Sequence, residues 1–429
     1  MQTKREHVLI VLAALASCVG GVFNDFVYDD IPIIRDNVRL HDLSQWRDIL
    51  SRPYWPPPFV EQLYRPLTSF LLAVEYVLGG GQPIVFRLVS YALYALASLG
   101  VFQLATRVVD RRVALIAALL FAVHPVHTEA VALGVNQAEL IVALASVAAA
   151  CVYIDARRLG AVELGGWASI AVLYAVAAFA KENGLILPGL LFAAELLIRQ
   201  EEREGQRSRR SAAVGVLILG LVAAIALSAR AHALSSGPMS AIPAAALRDL
   251  ELSDRALLML QVVPVWLRLF IWPARLRADY PPDSFQLPPA LGAPAIAGMI
   301  ALVGVGLLAL TARRRAPVVS FGIAWVAVAL LPVSNIVPTG VVLAERTLLL
   351  PSIGFSIAVV ALGAFVLETS AQRRRAVRYL ASAIVSAVTV LGVVRSESRH
   401  RVWNSRHLVV IGNSGSSPLG HAEAGPGTP

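Results

Sequence analysis

The sequence is poor in the residues on which soluble scaffolds depend. Cysteine occurs twice in 429 residues, at Cys18 and Cys151, and both lie inside apolar runs. That placement argues against a disulfide framework and a thiolate metal site. Charged residues make up only 15%, where soluble chains carry about 25%. Lysine is almost missing: of 37 basic residues only Lys4 and Lys181 are lysine. That arginine bias points to a GC-rich bacterial genome, and the absence of any Asn-x-Ser/Thr sequon fits the same origin. No internal repeat is present, so a solenoid is not expected.

What remains is apolar. Hydrophobic residues make up 57% and the mean hydropathy is +0.67. Many stretches approach the roughly 20 residues needed to cross hydrocarbon as a helix. The expected fold is all-α and polytopic, with eleven spans at 7–23, 83–106, 110–127, 138–155, 165–181, 184–199, 212–229, 293–312, 317–336, 348–368 and 377–394. The first is a retained signal anchor, since Lys4 and Arg5 precede it and no small-residue cleavage site follows.

The net charge of +9 does not call for nucleic acid. Its arginines cluster in short loops, which is how orientation is encoded. Lys4-Arg5, Arg107 with Arg111-Arg112, Arg157-Arg158, the run 199–210, Arg313 to Arg315 and the run 373–378 are expected in the cytoplasm. This threading puts the N-terminus inside and the C-terminus outside. Segments 66–81 and 257–273 would break the parity, so both are read as helices lying at the outer interface. Residues 1–395 then form one membrane domain. Its large extracytoplasmic loops are 24–82 and 230–292, and 396–429 is an extracytoplasmic tail, disordered from Asn413.

Two adjacent carboxylates, Asp29 and Asp30, follow the first apolar segment. Ionisable groups beside the apolar layer are functional suspects. Such a pair can take a proton from a hydroxyl nucleophile. Mutual repulsion raises the pKa of one member. Asp30 is preferred as the base, with Asp29 orienting. A turn or helix cap in a solvated loop is the competing explanation. His124 and His127 flank Pro125 at a helix end; their spacing could suit a metal, but no further ligand pair is evident.

Several short motifs recur in order. They are Phe26-Val27-Tyr28-Asp29-Asp30 with Asn37, Tyr64-Arg65-Pro66-Leu67-Thr68, His124-Pro125-Val126-His127-Thr128-Glu129-Ala130-Val131 and Ala138-Glu139-Leu140. Lys181-Glu182, Ala278-Asp279-Tyr280, Ser334-Asn335-Ile336, Ala344-Glu345-Arg346 and Pro351-Ser352-Ile353-Gly354-Phe355 follow, then Arg399, Arg401 and Trp403. From about residue 5 to 410 the chain resembles the membrane part of the TMTC family, the transmembrane and tetratricopeptide-repeat proteins of the GT-C glycosyltransferase class. Two departures stand out. Asn136-Gln137 replaces the Arg that the family carries before Ala-Glu-Leu, which removes one phosphate contact. The family also continues into helical repeats where this sequence stops, so the resemblance implies that any acceptor-docking role of those repeats is missing here or supplied by a separate repeat-bearing partner.

The resemblance implies transfer of a sugar, often mannose, from a polyprenyl-phosphate carrier to a protein or glycan hydroxyl on the periplasmic side of a bacterial inner membrane. It implies donor-phosphate contacts from Arg65, Lys181 and Arg346, because Arg grips phosphate through its fork and Lys through a point charge. His124, His127, Glu129, Glu139, Glu182, Asp279 and Tyr280 are the substrate-binding candidates. A lipid monophosphate has little charge to neutralise, so no metal or other cofactor is required, although the acidic pair leaves room for a divalent cation. Membrane lipids surround the bundle. The alternatives are a lipid-linked glycan transporter, which should carry charges at mid-membrane in matched halves, and a non-catalytic membrane scaffold.

Overall fold

The computed structural model describes residues 2–59, 63–198, 206–234, 250–280, 290–369 and 374–404, with positions 244, 247, 284 and 285. Thirteen longer helices order the described chain: α1 Gln2–Ala16, α2 Pro66–Gly79, α3 Pro83–Thr106, α4 Arg111–Ala122, α5 Gln137–Arg158, α6 Leu164–Ala180 and α7 Leu187–Ile198. There follow α8 Gln206–Ala233, α9 Leu252–Ile271, α10 Ala293–Arg315, α11 Pro317–Leu330, α12 Leu349–Thr369 and α13 Arg374–Val402. No strand occurs among the described residues.

Local chemistry sets the helix ends. Proline opens α2, α3 and α11, where its missing N–H costs nothing. The Asp110 carboxylate caps α4, accepting from the N–H groups of Arg112 and Val113 at 2.9 and 3.3 Å. Gly80, at φ +58°, takes the left-handed turn that stops α2. Where α11 crosses α12, Gly322 and Gly354 let the backbones meet: a Cβ on either would lie 2.5 Å from the other's carbonyl oxygen. Close approach through small residues drives packing where lipid removes the hydrophobic force.

Five described helices are long and apolar enough to cross a membrane. The count is six if Arg111–Ala122 and Pro125–Ala132, bent by 47°, form one span. This is fewer than the eleven expected, although each expected span does contain a helix. Helices α6 and α11 fall short in length. The expected interfacial segments are also helical, as α2 and α9. Helix α9 runs for 20 residues with Pro264 inside it and packs along α10.

The basic loops converge at one end of the bundle. Arg107 pairs with Asp155 at 2.7 Å, Arg157 with Glu195 at 2.8 Å, and Arg111 with Glu6. Along α5, Glu139 and Arg157 lie about 27 Å apart at 1.5 Å per residue, close to the hydrocarbon thickness of about 30 Å. The spacing of charges therefore separates two ends: arginine pairs at one, acid–base clusters at the other. Residues 199–205 and 373 of the expected basic runs lie outside the described residues.

The segment 24–59 is more built than the expected open loop. Phe26, Ile33, Ile34, Tyr54, Leu72, Phe86 and Leu133 form their own buried core, and Trp403 joins it. The tail expected from 396 is corrected accordingly. Helix α13 continues to Val402, and its end is tied to the first loop by Gly20 N–H to Glu397 at 2.7 Å and Asn24 to the His400 carbonyl at 2.7 Å. The disorder expected from Asn413 lies outside the described residues.

Candidate active site

At the end of the bundle opposite the arginine loops, the segments after α1, before α2, between α4 and α5, after α6 and before α12 meet. Most of the candidate residues meet there.

The acidic pair divides its labour. Asp30 is fully buried and both its oxygens are engaged. Oδ2 accepts from Arg87 Nη1 and from the Gly134 N–H, each at 3.1 Å, and Oδ1 from the Val135 N–H at 3.0 Å. Arg87 also donates to the Asp25 carbonyl at 2.9 Å. Asp30 thus fastens the first loop to α3 and to the start of α5. Neither of its oxygens faces open space, a setting that suits holding the loop. Asp29 is only half-buried and accepts no side-chain hydrogen bond. Burial raises its carboxyl above the usual range. Arg346 and Arg65 oppose that rise, while Asp30 and Glu129 reinforce it. Tyr28 precedes it at φ +54°, an uncommon conformation that a bulky residue adopts at a cost.

Four ion pairs lie among the segments that meet here. Glu129, buried on the short helix Thr128–Ala132, accepts from the Arg346 N–H at 2.8 Å and binds the Arg346 guanidinium. Lys181 Nζ lies 2.5 Å from Glu139. Glu182 is shared by Arg65 and Arg230, each at 2.9 Å. Burial alone would raise the Glu182 carboxyl, but Arg65 and Arg230 outweigh it and hold it down at about 2. Arg65 also lies over the Tyr54 ring, 5.0 Å from its centroid. Thr68 donates to the Ala180 carbonyl at 2.8 Å, which sets α2 against the end of α6. The expected phosphate cations Arg65, Lys181 and Arg346 are therefore brought together, each beside a carboxylate.

Other candidates serve the frame. His124 is buried, accepting from the Val126 N–H at Nδ1 (3.3 Å) and donating from Nε2 to the Phe270 carbonyl (2.9 Å). His127 is buried between Tyr94 (2.9 Å) and Ser352 (2.7 Å). Both rings have used their nitrogens in joining helix ends, so the structure leaves neither free for substrate. Among the described residues no three His, Cys, Asp or Glu side chains form a group that could hold a metal ion. Tyr280 is buried, donating to Glu345 at 2.8 Å, and the Arg277 N–H reaches the same carboxylate oxygen at 2.6 Å. Asp279 is exposed, accepts from the Tyr280 N–H at 2.8 Å, and its charge reaches the Tyr28 hydroxyl. Sequence reasoning missed Arg87, Arg230, Glu345 and Tyr28 as parts of the site. Arg87 gave one signal, a lone arginine near the start of an apolar helix.

This geometry belongs to a recognisable class. Across 92% of this chain and 55% of the other, the fold matches the archaeal oligosaccharyltransferase AglB from Archaeoglobus fulgidus, solved with an inhibitory peptide and a dolichol-phosphate, at a TM-score of 0.53 and 12% identity. The fold is therefore that of GT-C membrane proteins. The family described as dolichyl-phosphate-mannose-protein mannosyltransferase matches residues 60–228. Protein O-mannosyl-transferase TMTC3 of Mus musculus is 27% identical over 82% of this chain and 42% of its own length. TMTC4 of Mus musculus is 26% identical over 89% of this chain and 58% of its own. The human TMTC3 is 33% identical over 46% of this chain and 22% of its own. The chain is thus similar over most of its length to the membrane part of TMTC proteins, and it spans about half the length of the curated relatives it matches.

Proposed function

We propose that this chain is a membrane glycosyltransferase that moves a sugar, mannose or another hexose, from a polyprenyl-phosphate carrier to an acceptor hydroxyl, at the bundle end opposite the arginine loops. The observation that carries this reading is Asp29: a half-buried carboxylate that accepts no side-chain hydrogen bond among the described residues and feels the charges of both Arg346 and Arg65. In the proposed step the acceptor oxygen attacks the anomeric carbon and Asp29 takes its proton. The bond from that carbon to the carrier phosphate oxygen breaks, and the electron pair leaves with the phosphate. A single displacement inverts the anomeric centre. Arg346, Lys181 and Arg65 neutralise the departing charge, as preorganised cations do best in a water-poor site. Asp30 and Arg87 fix the loop that presents Asp29.

The positive-inside pattern supports placing the arginine loops in the cytoplasm and the site on the periplasmic face of a bacterial inner membrane. Relatives named as O-mannosyl-transferases support a protein acceptor; a glycan acceptor is the alternative within the same chemistry. A transporter is disfavoured because the charged groups gather at one end of the bundle rather than at mid-membrane. The test is reconstitution of the full chain in proteoliposomes with polyprenyl-phosphate mannose, polyprenyl-phosphate glucose and a nucleotide sugar. Transfer from a lipid-linked donor with inverted configuration is expected. Transfer from the nucleotide sugar alone, or retained configuration, would overturn the reading.

A further inference from the structure

Each of the three expected phosphate cations already faces a carboxylate: Arg65 holds Glu182, Lys181 holds Glu139 and Arg346 holds Glu129. Arg399, near the end of α13, does not. Its Nε is buried with no hydrogen-bond partner, and the residue as a whole is half-exposed. Glu129, Glu345 and Tyr280 lie within range of its charge, yet none of them bonds to it. Glu345 is occupied by the Arg277 N–H and the Tyr280 hydroxyl, and Glu129 by Arg346. The contact Arg399 does make is with the Trp403 ring, 5.9 Å from its centroid, and the Trp403 indole N–H is likewise buried without an acceptor. Trp403 sits in the core of the first loop, so the ring beside this guanidinium is fixed, and the Arg399 Nε donor stays unused among the described residues. An anion arriving beside this buried donor supplies the partner it lacks. Helix α13 packs against the short helix Thr128–Ala132 that carries Glu129, the carboxylate that Arg346 binds.

We propose that Arg399 is a phosphate-binding residue for the lipid carrier, completing with Arg346 a two-arginine clamp on the phosphate oxygens. The proposal rests on the glycosyltransferase reading above. It makes the end of α13 part of the donor site and explains why that helix is tied so firmly to the first loop.

The test is equilibrium binding of a short-chain polyprenyl phosphate to the full chain in nanodiscs, with the matching polyprenol as control. Wild type should prefer the phosphate. Arg399→Gln should bind it about 10- to 100-fold more weakly, the range for losing a charged hydrogen-bond donor, with binding of the polyprenol unchanged. Wild-type affinity in Arg399→Gln overturns this inference and leaves the glycosyltransferase reading standing. A wild type indifferent to the phosphate overturns both. Should Arg399→Gln fail to fold, Arg399→Lys decides: a several-fold loss at an unchanged melting temperature supports the clamp, and wild-type affinity refutes it.

Discussion

The Asp30–Arg87 pair gives the sharpest structural prediction. Both side chains are almost wholly shielded, at 0% and 1% exposure, so neither can turn to water when its partner is removed. Arg87→Leu leaves Asp30 facing only the Gly134 and Val135 N–H groups. Breaking a buried pair in this way costs about 3–5 kcal/mol, and the orphaned carboxyl can limit the loss by taking a proton. Asp30→Asn keeps an acceptor for Val135 but turns an amide N–H₂ toward Arg87 and Gly134, at a cost of about 1–3 kcal/mol. The double variant has no buried charge left without a partner on the acid side, so its loss should fall short of the summed single losses by about 0.5–3 kcal/mol. Melting of the four proteins in one detergent measures this cycle. Additive losses, or an Arg87→Leu protein as stable as wild type, would refute the idea that this pair fastens the loop.

Four further predictions follow from the site. Because Asp29 must be ionised to accept a proton and burial raises its carboxyl, activity should fall on acidification at a pH above the ordinary carboxylate range. Arg346→Gln removes the strongest opposing charge and should move that limb higher still, as read from kcat/KM against pH. Glu182 titrates near 2 when folded against an ordinary 4.5, so its contribution to stability is full above pH 5 and is lost as pH falls toward 2; Glu182→Gln should flatten that part of the acid melting curve. His127→Ala empties the buried space between Tyr94 and Ser352 and should lower the melting temperature while leaving the KM for donor near wild type. Both native cysteines are buried, so Phe23→Cys, at 87% exposure, and Leu159→Cys, at 89%, should react with an impermeant maleimide from opposite sides of the membrane; labelling of both from one side contradicts the topology.

Much of the architecture was legible because apolar runs and arginine loops act locally. Each run expected to span does contain a helix, and the arginine loops do converge. Helix α2 was visible in its opening proline, and α9 in its apolar run despite Pro264. The span count was less legible, because a short apolar helix such as α6 looks the same in sequence whether it crosses or not. Within the site, the motifs identified Glu129, Glu139, Lys181, Glu182 and Arg346 but not their pairing. Arg346 and Glu129 lie 217 positions apart, and no spacing rule joins them. The different surroundings of Asp29 and Asp30 were not legible for the same reason. Adjacent carboxylates are equivalent until Arg87 and the Gly134 and Val135 N–H groups single one out. His124 and His127 were plausible ligands in sequence, but helix ends need polar bridges, and both rings supply them.

The central claim is that one carboxylate works on the acceptor while its neighbour holds the loop. Single-turnover transfer from polyprenyl-phosphate mannose, measured with saturating donor in proteoliposomes, tests it most directly. Asp29→Asn should slow the chemical step by about 10²–10⁴-fold with donor affinity kept, whereas Asp30→Asn should lose stability first. Transfer by Asp29→Asn at the wild-type rate would contradict the account.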